Sequence, residues 1–116
     1  MIKIEQGYWG GYNIIEQGKT PSGKKYKQLI ASGFSSIQKA IDYARLSHYN
    51  TNLAPDYQFT EAQKTALQEL NAEAANNYWS WLGFTEAVLA ESGGLAGLLE
   101  KIDCGLPAKD ILCDYI

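Results

Sequence analysis

KYKQLIASGFSSIQKAIDYARLSH, residues 25 to 48, is where the side-chain period of this chain changes from two to 3.6. Residues 25 to 31 alternate as a half-buried strand does. Gly33 and Phe34 interrupt that pattern, and Ser35-Ser36-Ile37-Gln38 has capping-box spacing, with Ser35 able to accept from the Gln38 amide and Gln38 able to reach back. Beyond the cap, Ile37, Ala40, Ile41, Ala44 and His48 recur on one face of a 3.6-residue repeat. A strand followed at once by an amphipathic helix predicts a sheet covered by that helix.

Toward the N-terminus, residues 2 to 6 (IKIEQ) alternate as well, and residues 8 to 16 (YWGGYNIIE) are aromatic and β-branched around two glycines. Gly7 separates these two runs. The segment QGKTPSGK, with Gly18, Pro21 and Gly23, is turn chemistry ahead of the third. Three consecutive strands with short connections predict an antiparallel meander. Toward the C-terminus, HYNTNLAPDYQF is polar, aperiodic and broken by Pro55, and residues 50 to 59 are expected to be a linker. A second cap, Thr60 with Gln63, opens a helix expected to run through TEAQKTALQELNAEAANNYWSWL, with Leu67, Leu70, Ala74, Tyr78 and Trp81 on one stripe and Gly83 as its stop. Residues 85 to 92 and 95 to 104 read as further helices ended by Gly93-Gly94 and Gly105, and Pro107 suits the first position of a last one.

The expected fold class is therefore α+β: a three-stranded antiparallel meander packed on one helix, followed by an acidic segment of about four helices. Residues 1 to 49 form the βββα module, residues 50 to 59 the linker and residues 60 to 116 the helical segment, docked as one domain. The charge changes at the same place. Residues 1 to 58 hold seven Lys/Arg against four Asp/Glu, and residues 59 to 116 hold three against nine.

Composition bounds the function classes. The first ten residues lack a basic region followed by an apolar run, and no stretch is apolar enough for a membrane span, so a cytoplasmic protein that does not engage membranes is expected. Cys104 and Cys113 are too few for a disulfide framework and, with His48 as the one histidine, too few for a usual zinc site. They are expected to be reduced and buried, and no metal or other cofactor is expected.

Gly18-Lys-Thr-Pro-Ser-Gly23-Lys24 satisfies the G-x-x-x-x-G-K pattern of a phosphate-binding loop, but Lys25 stands where Ser or Thr would hold magnesium. Pro21 also removes an amide, and a strand follows where a helix should, so the segment reads as a hairpin loop. Lys19, Lys24, Lys25 and Lys27 cluster on this loop and the strand after it, and are expected near Tyr8, Trp9, Tyr12 and Tyr26. Lysines among aromatics suit phosphate contact and base stacking, and equally a solvated sheet edge. No enzyme is expected: His48 lies on the helix face read as buried, and Glu69 with Glu73 and Glu86 with Glu91 read as solvated helix faces.

The strands, Gly23-Lys24-Lys25, the alternating run after them, Gly33-Phe34-Ser35-Ser36 and a helix carrying Ala40 and Ala44 resemble the three-strand-plus-helix modules of AP2-type DNA-binding domains and of phage-integrase N-termini, over residues 8 to 48. The resemblance implies that fold. In those families the sheet enters the DNA major groove through an arginine-rich face, whereas the sole arginine of this chain, Arg45, falls on the helix.

Two function classes follow. The first is a non-enzymatic protein-binding protein: a small phage or mobile-element inhibitor of anti-defence type, such as an anti-CRISPR, occluding a surface of a protein partner such as a host nucleoprotein complex. Tyr8, Trp9, Tyr12 and Trp79 are its expected partner-binding residues, with Trp9 either an anchor open to a partner or a core filler in the space its glycines leave. The alternative is a nucleic-acid-binding protein using Lys19, Lys24, Lys25 and Lys27, against which a sequence pI near 5.0 weighs.

Overall fold

β1 (Ile2–Gln6), β2 (Tyr12–Lys19) and β3 (Lys25–Phe34) pair in the order of the chain, both pairs antiparallel, and α1 (Ile37–Ser47) packs against all three. In this computed structural model, residues 1 to 7 and 9 to 116 are described and Tyr8 lies outside them. The described chain is α+β and divides into two units, Met1–Gln58 and Phe59–Ile116.

In the first unit, Ile14 on the central strand is fully buried beneath α1, in a cluster with Ile2, Ala44 and Leu53. Ile15, the next residue, is buried on the other face between Lys3 and Leu29, because successive strand residues alternate sides. β3 has ten residues against eight on β2, and the register slips between Tyr12 and Ile14 and again between Ile14 and Ile15. Such bulges bend and twist the strand, which lets a short sheet wrap the helix. α1 begins one residue later than the sequence predicted, capped by Ser36, whose Oγ accepts from the Lys39 amide. Its buried residues are Ala40, Ala44 and Leu46, while Ile37, expected inside, is half exposed at its first turn.

Residues 50 to 59 do more than connect. Leu53 bridges Ile2 in parallel, the Ile2 amide donates to the Asn52 carbonyl (2.8 Å), and the Ala54 amide donates to the Ile2 carbonyl (3.0 Å). A 3-10 turn, Pro55–Tyr57, follows, and its Tyr57 carbonyl accepts from Arg45 Nε at 3.1 Å. The outer edge of β1 is thereby capped at Ile2, while Lys25 to Leu29 on the β3 edge are exposed.

The second unit holds α2 (Glu61–Asn76), α3 (Trp81–Ala90), α4 (Gly94–Asp103) and α5 (Ala108–Cys113). Thr60 and Gln63 form the capping box expected of them. The single long helix expected over residues 60 to 82 is instead two helices, broken by caps of its own. Asn77 Nδ2 donates back to the Glu73 carbonyl, Tyr78 takes φ 59°, and Ser80 Oγ accepts from the Gly83 amide to start α3. Gly83 therefore sits in the first turn of α3 and does not stop α2. Leu67, Leu70 and Ala74 of α2 are buried, as are Phe84, Val88, Leu95, Leu98, Ile111 and Leu112, and α2 packs against α3, α4 and α5. Cys104 and Cys113 are free but exposed, not buried as expected, since Cys104 caps the end of α4 and Cys113 ends the short α5. Among the described residues, no helix is long and apolar enough to cross a membrane.

Candidate functional site

The hairpin from β1 to β2 closes through a 2.7 Å bond from the Gly7 amide to the Gly11 carbonyl, with Gly10 at φ 78°, a backbone conformation that suits glycine. Trp9 stands at its tip, 99% exposed. Below the tip, Gly7, Gly11 and Asn13 meet Ser32 and Gly33 of β3 in a shallow groove that Trp9 borders. A Cβ on Gly7 would lie 3.2 Å from the side-chain Nδ2 of Asn13, so glycine keeps this part of the groove clear. Tyr12 begins β2 opposite Gln6 and Phe34, half-buried. Phe34 is held in turn by Tyr43 of α1, ring centroids 5.2 Å apart. This end of the sheet thus carries an exposed indole. Tyr8, the other aromatic expected here, lies outside the described residues.

The lysines expected near these aromatics are at the far end of the sheet. Tyr12 pairs with Phe34 at one end of β2 and Lys19 with Lys25 at the other, roughly 23 Å apart at the usual strand rise. Tyr26 alone stays with them. Its ring lies over Gly18, where a Cβ would be 3.0 Å from the phenolic oxygen, a cross-strand packing that fills the glycine's gap. The Thr20–Lys24 turn is tight, the Thr20 amide donating to the Lys24 carbonyl and the Gly23 amide to the Thr20 carbonyl, both at 2.8 Å. This geometry is a hairpin turn, and β3 follows it directly.

The four lysines are not equivalent. Lys27 Nζ lies 2.6 Å from one carboxylate oxygen of Glu5 and 2.7 Å from the other, and Lys3 adds a contact at 3.7 Å. The Lys27 hydrogen bond, opposed by desolvation and helped by the charges of Lys27 and Lys3, holds the Glu5 carboxyl below its ordinary range. Lys27 is therefore neutralised locally. Lys19, Lys24 and Lys25 make no ion pair among the described residues, which leaves three cations with Tyr26 at this end.

His48 caps the end of α1, its Nδ1 2.8 Å from Ser47 Oγ, and Ser47 donates to the Tyr43 carbonyl. Burial pulls its pKa below the ordinary imidazole value, against the Glu16 carboxylate and the Ala44 carbonyl, which pull it up. His48 is thus half-buried, with Ser47 Oγ and the Glu16 carboxylate as polar neighbours.

Trp79 is half-buried and well fixed. Its indole rests on Gly83, where a Cβ would come within 2.7 Å of Nε1, and its plane meets Phe84 edge to face at 5.6 Å. Trp81 and Tyr115 also pack on Phe84, at 4.9 and 5.6 Å between centroids. Tyr78, read from the sequence as a core residue, is instead 100% exposed. The signal that could have found it was Asn76-Asn77 followed by Ser80 three residues ahead of Gly83, a C-cap and an N-cap set too close for one helix.

Comparison with known proteins finds no matching family model, no matching curated protein and no matching solved structure.

Proposed function

We propose that this chain is a protein-binding module that works by occupying a partner's surface, with Trp9 as the anchor. The observation that carries this is the 99% exposure of Trp9 on a glycine-bordered hairpin tip. Burying a large apolar side chain is worth about 1.5 to 3 kcal/mol, and here that gain is left for association. Tryptophan is among the residues most enriched at binding hot spots, and Gly10 and Gly11 beyond it add no side chain to shield the ring. A non-catalytic, occluding inhibitor of the anti-defence kind fits this reading, and a host protein or nucleoprotein complex is the partner class it supports. Trp9→Ala is expected to leave the melting temperature within about 2 °C and to weaken partner binding by about 2 kcal/mol or more. Full affinity in that variant, measured by calorimetry on a partner recovered from the host, would remove Trp9 from the role.

The second reading is nucleic-acid binding at the other end of the sheet, favoured by Lys19, Lys24 and Lys25, which make no ion pair among the described residues, at the end that also carries Tyr26. Charge reversal of Lys24 and Lys25 to Glu is expected to abolish any DNA or RNA shift seen at about 50 mM salt, and wild-type binding is expected to fall steeply as salt rises. Lys27→Glu tests a different thing, since it sets two carboxylates together where Glu5 now has a partner. A wild type that retards neither nucleic acid under those conditions eliminates this reading.

A further inference from the structure

We infer that the corner between α2 and α3 is a docking surface for a cationic, leucine-bearing segment of a protein partner, with the Tyr78 ring as its contact face. The inference is independent of Trp9, which lies in the other unit.

The backbone at this corner is a Schellman ending. The Trp79 amide donates to the Ala74 carbonyl (2.9 Å) and the Tyr78 amide to the Ala75 carbonyl (3.0 Å), which places Tyr78 at the left-handed position after the cap. Glycine is the usual residue there, because a side chain in that conformation costs about 1 to 2 kcal/mol. Tyr78 is the one described residue other than glycine with positive φ. The ring recovers nothing by packing, since it is 100% exposed. A bulky residue held at a stability cost, and shown wholly to solvent, points to a role outside the fold.

The surroundings specify what would bind. Asn77, Tyr78, Trp79, Tyr115 and Ile116 line a shallow groove, and Ile116 is 78% exposed. Trp79 gives that groove a fixed wall, because Gly83 and Phe84 hold its indole from behind. Such a lining suits an apolar side chain, for which leucine serves as the probe. Charge selects the rest of the segment. Glu73 borders the groove, with Oε1 3.5 Å from Asn77 Nδ2, and makes no ion pair among the described residues. Lys101 lies 4.4 Å over the Tyr115 ring but is paired with Asp114 at 3.3 Å. Against desolvation, its bonds to Tyr115 and Asp114 raise its pKa, so that charge is already committed. The whole unit carries nine acidic residues against three lysines. An aromatic face beside the Glu73 carboxylate, in a unit of net negative charge, attracts arginine and lysine through cation–π and Coulomb terms.

The test titrates the full-length, nitrogen-15-labelled chain with a short peptide bearing Leu and Arg at helical spacing, and with its counterpart in which Glu replaces Arg, at about 100 mM salt. The expected result is saturable amide shifts at Tyr78, Trp79 and Ile116 with the Arg peptide and none with the Glu peptide. Tyr78→Gly is expected to raise the melting temperature by about 2 to 6 °C while weakening the Arg peptide at least about tenfold. Tyr78→Phe is expected to bind as the wild type does, because the ring face makes the contact. The inference is overturned if both peptides bind alike, if the shifts map elsewhere, or if Tyr78→Gly keeps its affinity. A lower melting temperature in Tyr78→Gly would overturn the strain argument on which it stands.

Discussion

Phe84→Ala is expected to cost about 3 to 5 kcal/mol, the largest loss from any single truncation in the helical unit. Phe84 is completely buried, and three rings depend on it: Trp79 and Tyr115 meet it edge to face at 5.6 Å, and Trp81 lies tilted against it at 4.9 Å. Removing the ring leaves a void that Trp79 cannot fill from where it stands on Gly83, and the aromatic pair energies go with it, at about 0.5 to 1.5 kcal/mol each. Thermal denaturation checks the size, and near-ultraviolet circular dichroism checks the cause. The variant should lose much of the aromatic signal while keeping its far-ultraviolet helix signal below the transition. A drop of under about 1 kcal/mol would mean that these rings do not share a packed centre.

Leu53→Ala is expected to cost about 2 to 5 kcal/mol, with its structural consequence in the sheet unit. Leu53 is 2% exposed, belongs to the cluster of Ile2, Ile14 and Ala44, and sits between the two backbone bonds that join its neighbours to Ile2. Its own carbonyl accepts from Gln58 Nε2 at 3.1 Å. The side chain therefore holds residues 52 to 58 against the outer edge of β1, and its loss should free both the segment and that edge. Limited proteolysis reads this out. The wild type should resist cleavage at residues 52 to 57, and the variant should be cut there first. Equal cleavage of the two at that segment would show that Leu53 does not hold it. The residues expected from composition to form a plain linker thus become a test of the sheet's own core.

The period changes along the chain determined the class and order of elements. Alternation in residues 2 to 6 and 25 to 31 marks strands, the Thr60–Gln63 capping box marks a helix start, and glycines mark the turns, because each of these is a local steric or hydrogen-bonding preference written within a few residues. Charge division between the two halves was equally legible. Other features depend on residues distant in the chain. The bulges in β3 arise from pairing with β2, and Leu53 leaves the apparent linker for a bridge to Ile2 about fifty residues before it. The helix break at Asn77 and Tyr78 was written locally, but the stripe Leu70, Ala74, Tyr78 and Trp81 matched one continuous helix equally well.

The candidate sites divide in the same way. Residue type alone nominated Trp9, Trp79 and the lysines, since indole and ammonium groups carry the chemistry of recognition wherever they fall. Which of them faces outward was settled by packing: Trp9 at a bare hairpin tip, Trp79 on Gly83, Lys27 against Glu5, and Tyr78 in solvent. Exposure and ion pairing are sums over neighbours that the backbone brings together, and no local pattern in a sequence contains those neighbours.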